Sequence, residues 1–211
     1  MQAPPRSRQR RKAARPAELL DAALDTFRER GFAATRMADI ASRAGVSKGT
    51  IYLYFPSKEA IFEALVRTSL LPVIERIQVA MAAEAGTATA RLGLLVQAFT
   101  QVTADPRLVA LPRLVLAEAG NFPDMARFYR REVVARGLDL VAGILEQGMM
   151  AGEFRRLDPL VTARLYLAPM VLSTLWRATF AAVEEAPLPA ETVLGLHLEL
   201  FLRAIAPEAV S

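Results

Sequence analysis

Apolar residues recur every three to four positions from Pro16 to Ile205, and no stretch sustains an alternation of apolar and polar positions. That period predicts an all-α chain. Proline, glycine and aspartate divide it into segments. A first helix is expected over about 16–30, with Leu20, Ala23, Leu24 and Phe27 on one face and Gly31 as its stop. Two short helices are expected over about 36–44 and 48–54, with Pro56 ending the second. Ser57 is a good N-cap for a fourth helix over about 58–83. Pro72 lies inside that helix, lacks the N–H that would bond the Thr68 carbonyl, and predicts a kink and a hinge there. Beyond a break at Gly86-Thr87, helices are expected over about 88–103, 106–119, 123–151, 159–183 and 190–205. Asp105-Pro106 and Asp158-Pro159 each set a side-chain acceptor before a proline at the first helical position. Gly152 is expected just past the end of its helix, where a left-handed residue is needed.

The stretch from Thr35 to Phe55 carries a more specific pattern. Two helices crossing through a tight turn need a residue that accepts positive φ, and Gly45 supplies it. Ala41 is small enough for a close crossing. Ile40, Val46, Ile51 and Phe55 offer a shared core, and Ser47 is an N-cap for the second helix. That helix then presents Lys48, Gly49, Thr50, Tyr52 and Tyr54, a short surface with a cation and hydroxyls. Such a surface suits base edges and phosphates in a major groove. Each residue alone has an ordinary structural reading, so the weight rests on order and spacing.

Charge distribution strengthens this picture. Residues 1–67 hold 13 basic and 7 acidic side chains, and the other 144 residues hold 13 and 15. Arg6, Arg8, Arg10, Arg11, Lys12 and Arg15 fall in residues 1–15, which contain no acid. One end of the chain is therefore suited to a polyanion. Residues 1–15 are expected to form a disordered basic arm that can lie along phosphate. No apolar run follows that arm as in a signal peptide, and no long uninterrupted apolar stretch predicts a membrane span. A cytoplasmic protein is expected. The absence of cysteine excludes disulfides, thiolate metal sites and cysteine nucleophiles, and a single histidine, His197, excludes a multi-histidine metal site. No catalytic set and no cofactor motif is present, so no enzyme and no cofactor is expected.

Residues from Gly45 through Val46-Ser47-Lys48-Gly49-Thr50-Ile51-Tyr52-Leu53-Tyr54-Phe55-Pro56-Ser57-Lys58-Glu59, with the preceding Gly31-Phe32-Ala33-Ala34-Thr35, resemble the DNA-binding domain of the TetR family of bacterial regulators. The resemblance covers about 16–67. It implies that Thr35 and Arg36 touch phosphate, that Lys48, Gly49, Thr50 and Tyr52 meet the major groove with Ser47 in the same DNA-binding set, that Tyr54 reaches a phosphate, and that Lys58 holds one. The start of the fourth helix adds a local reason for Lys58. The implied organisation is an arm over 1–15, a three-helix helix-turn-helix domain over 16–67, and a helical ligand-binding and dimerisation domain over 68–211. The implied function is a ligand-responsive regulator, a repressor of a palindromic operator released by a small-molecule effector.

The later part is less specific. Asn121 to Tyr129, with Met149 to Phe154, looks like the ligand domains of some TetR-type regulators of drug efflux, which points to efflux or a related pathway. Leu165, Leu167, Met170, Leu172, Leu175, Trp176 and Phe180 leave one helix apolar on nearly all sides, as Leu196, Leu198, Leu200, Phe201 and Leu202 do the next. Such helices need cover all round, which a homodimeric four-helix bundle supplies. His197 is read as a core or interface residue. Phe99, Phe128, Tyr129, Met149, Tyr166, Met170, Trp176 and Phe180 are the expected lining of an effector pocket. Few charges lie deep in these helices, so the effector is expected to be apolar. A helical enzyme and a ligand-independent DNA-binding protein are the alternatives.

Overall fold

The structure is a computed structural model that describes residues 6–180, 183–186 and 188–207, the side chains of 6–14 and 102–103 excepted. Among the described residues every regular element is helical. In chain order these are α1 (Arg6–Arg30), α2 (Met37–Arg43), α3 (Lys48–Tyr52), α4 (Lys58–Leu65), α5 (Leu71–Ala83), α6 (Ala88–Thr103), α7 (Pro106–Glu118), α8 (Pro123–Tyr129), α9 (Ala135–Met150), α10 (Pro159–Phe180) and α11 (Ala190–Ile205). Two π-helical turns, Val66–Leu70 and Arg130–Val134, join α4 to α5 and α8 to α9. The chain forms two compact units. The first is Met1–Thr68 with Ala110–Phe128, and the second is Ser69–Val109 with Tyr129–Ser211. A single cut after residue 67 therefore misses the return of 110–128 to the first unit.

In the first unit α2 and α4 pack on α1, and α3 packs on α2. Leu19, Ala23, Leu24, Phe27, Phe32, Ile40, Ile51, Ile61 and Phe62 form its buried centre. Val46 and Phe55 are only partly buried. The expected disordered arm is corrected: α1 is already helical at Arg6, and Pro16 lies inside it. Residues 8–14 are Arg, Gln, Lys and Ala, which have high helix propensity. Residues 1–5 lie outside the described residues. The helix expected over 58–83 is interrupted just ahead of Pro72: a π turn over Val66–Leu70 breaks the α-helical bonding between α4 and α5, and Pro72 is the second residue of α5.

The second unit is built on α6, α9, α10 and α11. The first two pack on each other, α10 packs on α9, and α11 packs on α6 and α10. Leu92, Leu145, Ala163 and Tyr166 are fully buried within one cluster that also holds Met149, Met170, Leu194 and Phe201. Local signals work as expected: Asp105 Oδ1 accepts the Arg107 N–H at 2.8 Å, Asp158 Oδ1 accepts the Val161 N–H at 2.8 Å, and Gly152 has φ +76°. Pro169 lies inside α10, and His197 Nε2 sits 2.8 Å from the Tyr166 carbonyl oxygen beside it. The His197 ring lies between Tyr166 and Phe201, with centroids 5.7 and 5.9 Å away. Among the described residues no helix is long and apolar enough to cross a membrane.

Candidate nucleic-acid interface

The turn between α2 and α3 is fixed by its own residues. Gly45 has φ +65°, and a side chain there would be strained. The Val46 N–H returns to the Ala41 carbonyl at 2.9 Å, which closes the crossing. Ser47 caps α3 by accepting the Thr50 N–H at 3.2 Å, and its hydroxyl lies 2.8 Å from that of Thr50. Ile51 is fully buried and holds the inner face of α3 against α2. Ser47, Lys48, Gly49 and Tyr52 are then exposed, and Thr50 and Tyr54 are half-buried. Leu53, 82% exposed, is the largest apolar side chain on this surface and was absent from the sequence-based set.

Arg36 is exposed at the start of α2, and its N–H donates to Asp39 Oδ2 at 2.9 Å. Asp39 also pairs with Arg30 at 3.0 Å, and Arg43 makes a two-pronged pair with Glu29. These ion pairs lie on the surface and act mainly as orientation for α1 against α2. Burial slightly opposes ionisation of Glu29, but the hydrogen bond from Arg43 is stronger and holds its carboxyl below the usual range.

Two residues expected at phosphate are engaged within the chain. The Thr35 hydroxyl is buried and donates to the Gly31 carbonyl at 2.6 Å, because the α1–α2 loop needs that partner. The Lys58 ammonium donates to the carbonyls of Phe32, Ala33 and Thr35 at 2.8, 3.1 and 3.3 Å. An ammonium has three protons, and all three are engaged. It also lies 4.7 Å from the Phe32 ring centroid and 5.1 Å from that of Phe122.

Of the expected effector-lining residues, Phe99, Met149, Tyr166 and Met170 meet in the core of the second unit, and Tyr129 is buried in the same unit. Burial pushes both phenols up, so both remain proton donors. Tyr166 donates to Leu92, whereas Tyr129 has no partner among the described residues. The other three lie outside that core. Phe128 belongs to the first unit, where the Arg67 guanidinium lies 4.9 Å from its ring centroid. Trp176 and Phe180 are half-exposed and pack on each other, and the Trp176 indole N–H donates to Glu184 Oε1 at 2.6 Å. Along α10, Val161, Leu165, Leu172 and Trp176 form one exposed apolar stripe, and Leu196 and Leu200 form another on α11.

A capped three-helix reading head joined to a separate helical unit defines a helix-turn-helix regulator. Residues 19–65 match the family model of bacterial regulatory proteins of the tetR family, and residues 90–204 match that of the C-terminal domain of AefR-like transcriptional repressors. The chain belongs to the TetR family of transcriptional regulators. It is 31% identical over 139 residues to the fatty acid metabolism regulator protein of Bacillus subtilis strain 168, covering 65% of this chain and 70% of that protein. It is 30% identical over 156 residues to the transcriptional repressor KstR2 of Rhodococcus jostii strain RHA1, covering 74% and 75%. The crystal structure of FadR from Bacillus subtilis in complex with stearoyl-CoA superposes with a TM-score of 0.76 at 25% identity, over 90% of this chain and 98% of that one.

Proposed function

We propose that this protein is a cytoplasmic, homodimeric repressor that reads a palindromic operator with α3 and releases it when an apolar effector enters the second unit. The observation that carries the reading is the Ser47-capped α3, which buries Ile51 and leaves Lys48, Gly49 and Tyr52 free to meet base edges. Tyr54 and Arg36 are assigned to phosphate. The basic N-terminal stretch, helical from Arg6, adds salt-dependent affinity.

The effector assignment rests on the second unit. Phe99, Met149 and Met170 offer an apolar, adaptable lining, and the protonated Tyr129 phenol offers one donor for a carbonyl. Relatives named for fatty-acid metabolism, and one bound to stearoyl-CoA, support a long-chain acyl thioester over the drug-type effector of an efflux regulator. The exposed stripes of α10 and α11 support a dimer bundled through those helices.

Selection from randomised duplexes, followed by titration of the complex with stearoyl-CoA, tests the reading. The expected result is a palindrome bound by two copies, released by stearoyl-CoA in the parent and about tenfold less sensitively in Tyr129→Phe. Selection of no duplex overturns the reading. Selection of a palindrome that stearoyl-CoA does not release overturns the effector class.

A further inference from the structure

The loop between α1 and α2, residues 31–36, has no regular structure, and α2 of the reading head starts directly from it. A displacement of that loop moves α2, and α3 moves with it. Three of its carbonyls accept from Lys58, as described above. One of its N–H groups, that of Ala33, donates to Glu118 Oε1 at 3.0 Å, a residue 85 positions later. Glu118 is held in turn by Asn121, whose Nδ2 donates to Glu118 Oε2 at 3.3 Å. Phe122 sets its ring edge-on against Phe32 with centroids 4.8 Å apart, and the Lys58 ammonium faces both rings. Gly31 has φ +79°, and a Cβ there would meet Glu118 Oε1 at 3.9 Å.

Glu118 and Phe122 lie within the stretch matched by the C-terminal family model, residues 90–204, yet they belong to the compact unit that contains the reading head. We infer that residues 110–128 act as a clasp on the α1–α2 loop, with Glu118 and Phe122 as positioning residues and Lys58 as the ion they enclose, so that operator affinity is set by side chains outside the helix-turn-helix sequence. The inference rests on the operator reading above. The clasp touches no DNA. It fixes the place from which α2 springs, and groove-reading side chains need their support held to about half an ångström. Because α7 begins in the second unit at Pro106 and ends at Glu118, the clasp also gives α7 a direct grip on the reading head.

A positioning role and a phosphate-binding role separate cleanly by salt. Losing a phosphate contact lowers the salt slope of binding by about 0.9 per contact and weakens all duplexes alike. Losing a positioning contact lowers affinity for the operator only and leaves the slope unchanged. The experiment is fluorescence anisotropy of the full chain on its selected operator and on a scrambled duplex of equal length, across a range of KCl concentrations. Glu118→Ala, Phe122→Ala and Lys58→Ala are expected to lose about tenfold on the operator, nothing on the scrambled duplex, and to keep the parent slope. Glu118→Gln keeps an acceptor for Ala33 and is expected to restore operator binding. Phe122→Leu serves where Phe122→Ala does not fold. A Lys58→Ala slope reduced by about 0.9 per protomer, with equal loss on both duplexes, overturns the assignment of Lys58. Parent-like operator affinity in Glu118→Ala and Phe122→Leu overturns the clasp. Amide hydrogen exchange at Ala33 reads the clasp without DNA, and it should quicken in Glu118→Ala. If the parent selects no duplex, the operator reading fails, and an Ala33 exchange rate unchanged in Glu118→Ala overturns the clasp independently.

Discussion

Tyr166 donates its phenol to the Leu92 carbonyl oxygen at 2.6 Å, which pins α10 to α6 at the centre of the second unit. The ring is fully buried, so solvent does not compete for the bond. Tyr166→Phe keeps the ring and removes the hydroxyl. It is expected to lower stability by about 1 kcal/mol, read by urea unfolding with an unchanged m-value. An unchanged midpoint would show that the bond contributes nothing net.

Gly148 gives Phe154 its place. A Cβ at position 148 would lie 2.3 Å from Phe154 Cε2 and 2.8 Å from Ala88 Cβ, and Phe154 is itself buried. Gly148→Ala must push the ring out or part α6 from α9. A loss of about 1–3 kcal/mol is expected, seen as a lower melting temperature. A melting temperature equal to the parent would show that this packing relaxes freely.

Glu153, next to Phe154, caps α6 from a distance. Its carboxylate accepts the Ala88 and Thr89 N–H groups at 2.9 and 3.0 Å. Burial raises its proton affinity, but the hydrogen bonds from Thr89 and Ala88 and the charge of Arg91 together outweigh this and hold the carboxyl below its usual value. A lowered folded value means that the stabilisation is complete above the unfolded value of about 4.3 and is lost as pH falls through the folded value. Glu153→Ala is expected to cost about 1 kcal/mol at neutral pH, with solvent screening at its exposed side keeping the effect small. The gap between parent and variant should narrow as the pH of an unfolding series falls below about 4. A constant gap would assign the effect to packing alone.

The proposed dimer is tested on the exposed stripe. Phe201 and Leu198 pack into the core of their own protomer, so a charge there reports on folding rather than association. Leu165 and Leu172 are 64% and 60% exposed. Leu165→Glu and Leu172→Glu are expected to sediment as folded monomers, because each would bury an unpaired ion in the bundle. Leu116→Glu, at an exposed site on α7, should leave the dimer intact. Intact dimers in both α10 variants would remove the bundle.

Base and phosphate readers differ on a library of operator variants. Lys48→Ala is expected to relax preference at one or two positions per half-site, at about 1–3 kcal/mol. Arg36→Ala should weaken every sequence alike. Superimposable profiles for the two variants would contradict the assignment.

The chain's local chemistry was legible from its sequence. Ser47, Ser57, Asp105 and Asp158 accept N–H groups two or three residues away, and Gly31, Gly45 and Gly152 take the positive φ that ends a helix or turns the chain. Such signals depend on neighbours in sequence, so these capped helix ends and the reading head could be placed without a fold. The apolar period likewise marked Leu20, Ala23, Leu24 and Phe27 as one buried face. The rest depended on partners far along the chain. Lys58 stands where a free helix start would favour phosphate, and only the fold shows its protons on Phe32, Ala33 and Thr35. Helical period could not say which apolar faces of α10 a single chain covers, and so left Trp176 and Phe180, half-exposed in the fold, among the pocket candidates. Glu118 and Phe122 carried no local signal of the contacts they make, because their partners lie in a loop more than 80 residues earlier. A side chain's type limits what it can bond, but which partner it finds is fixed only when distant segments pack together.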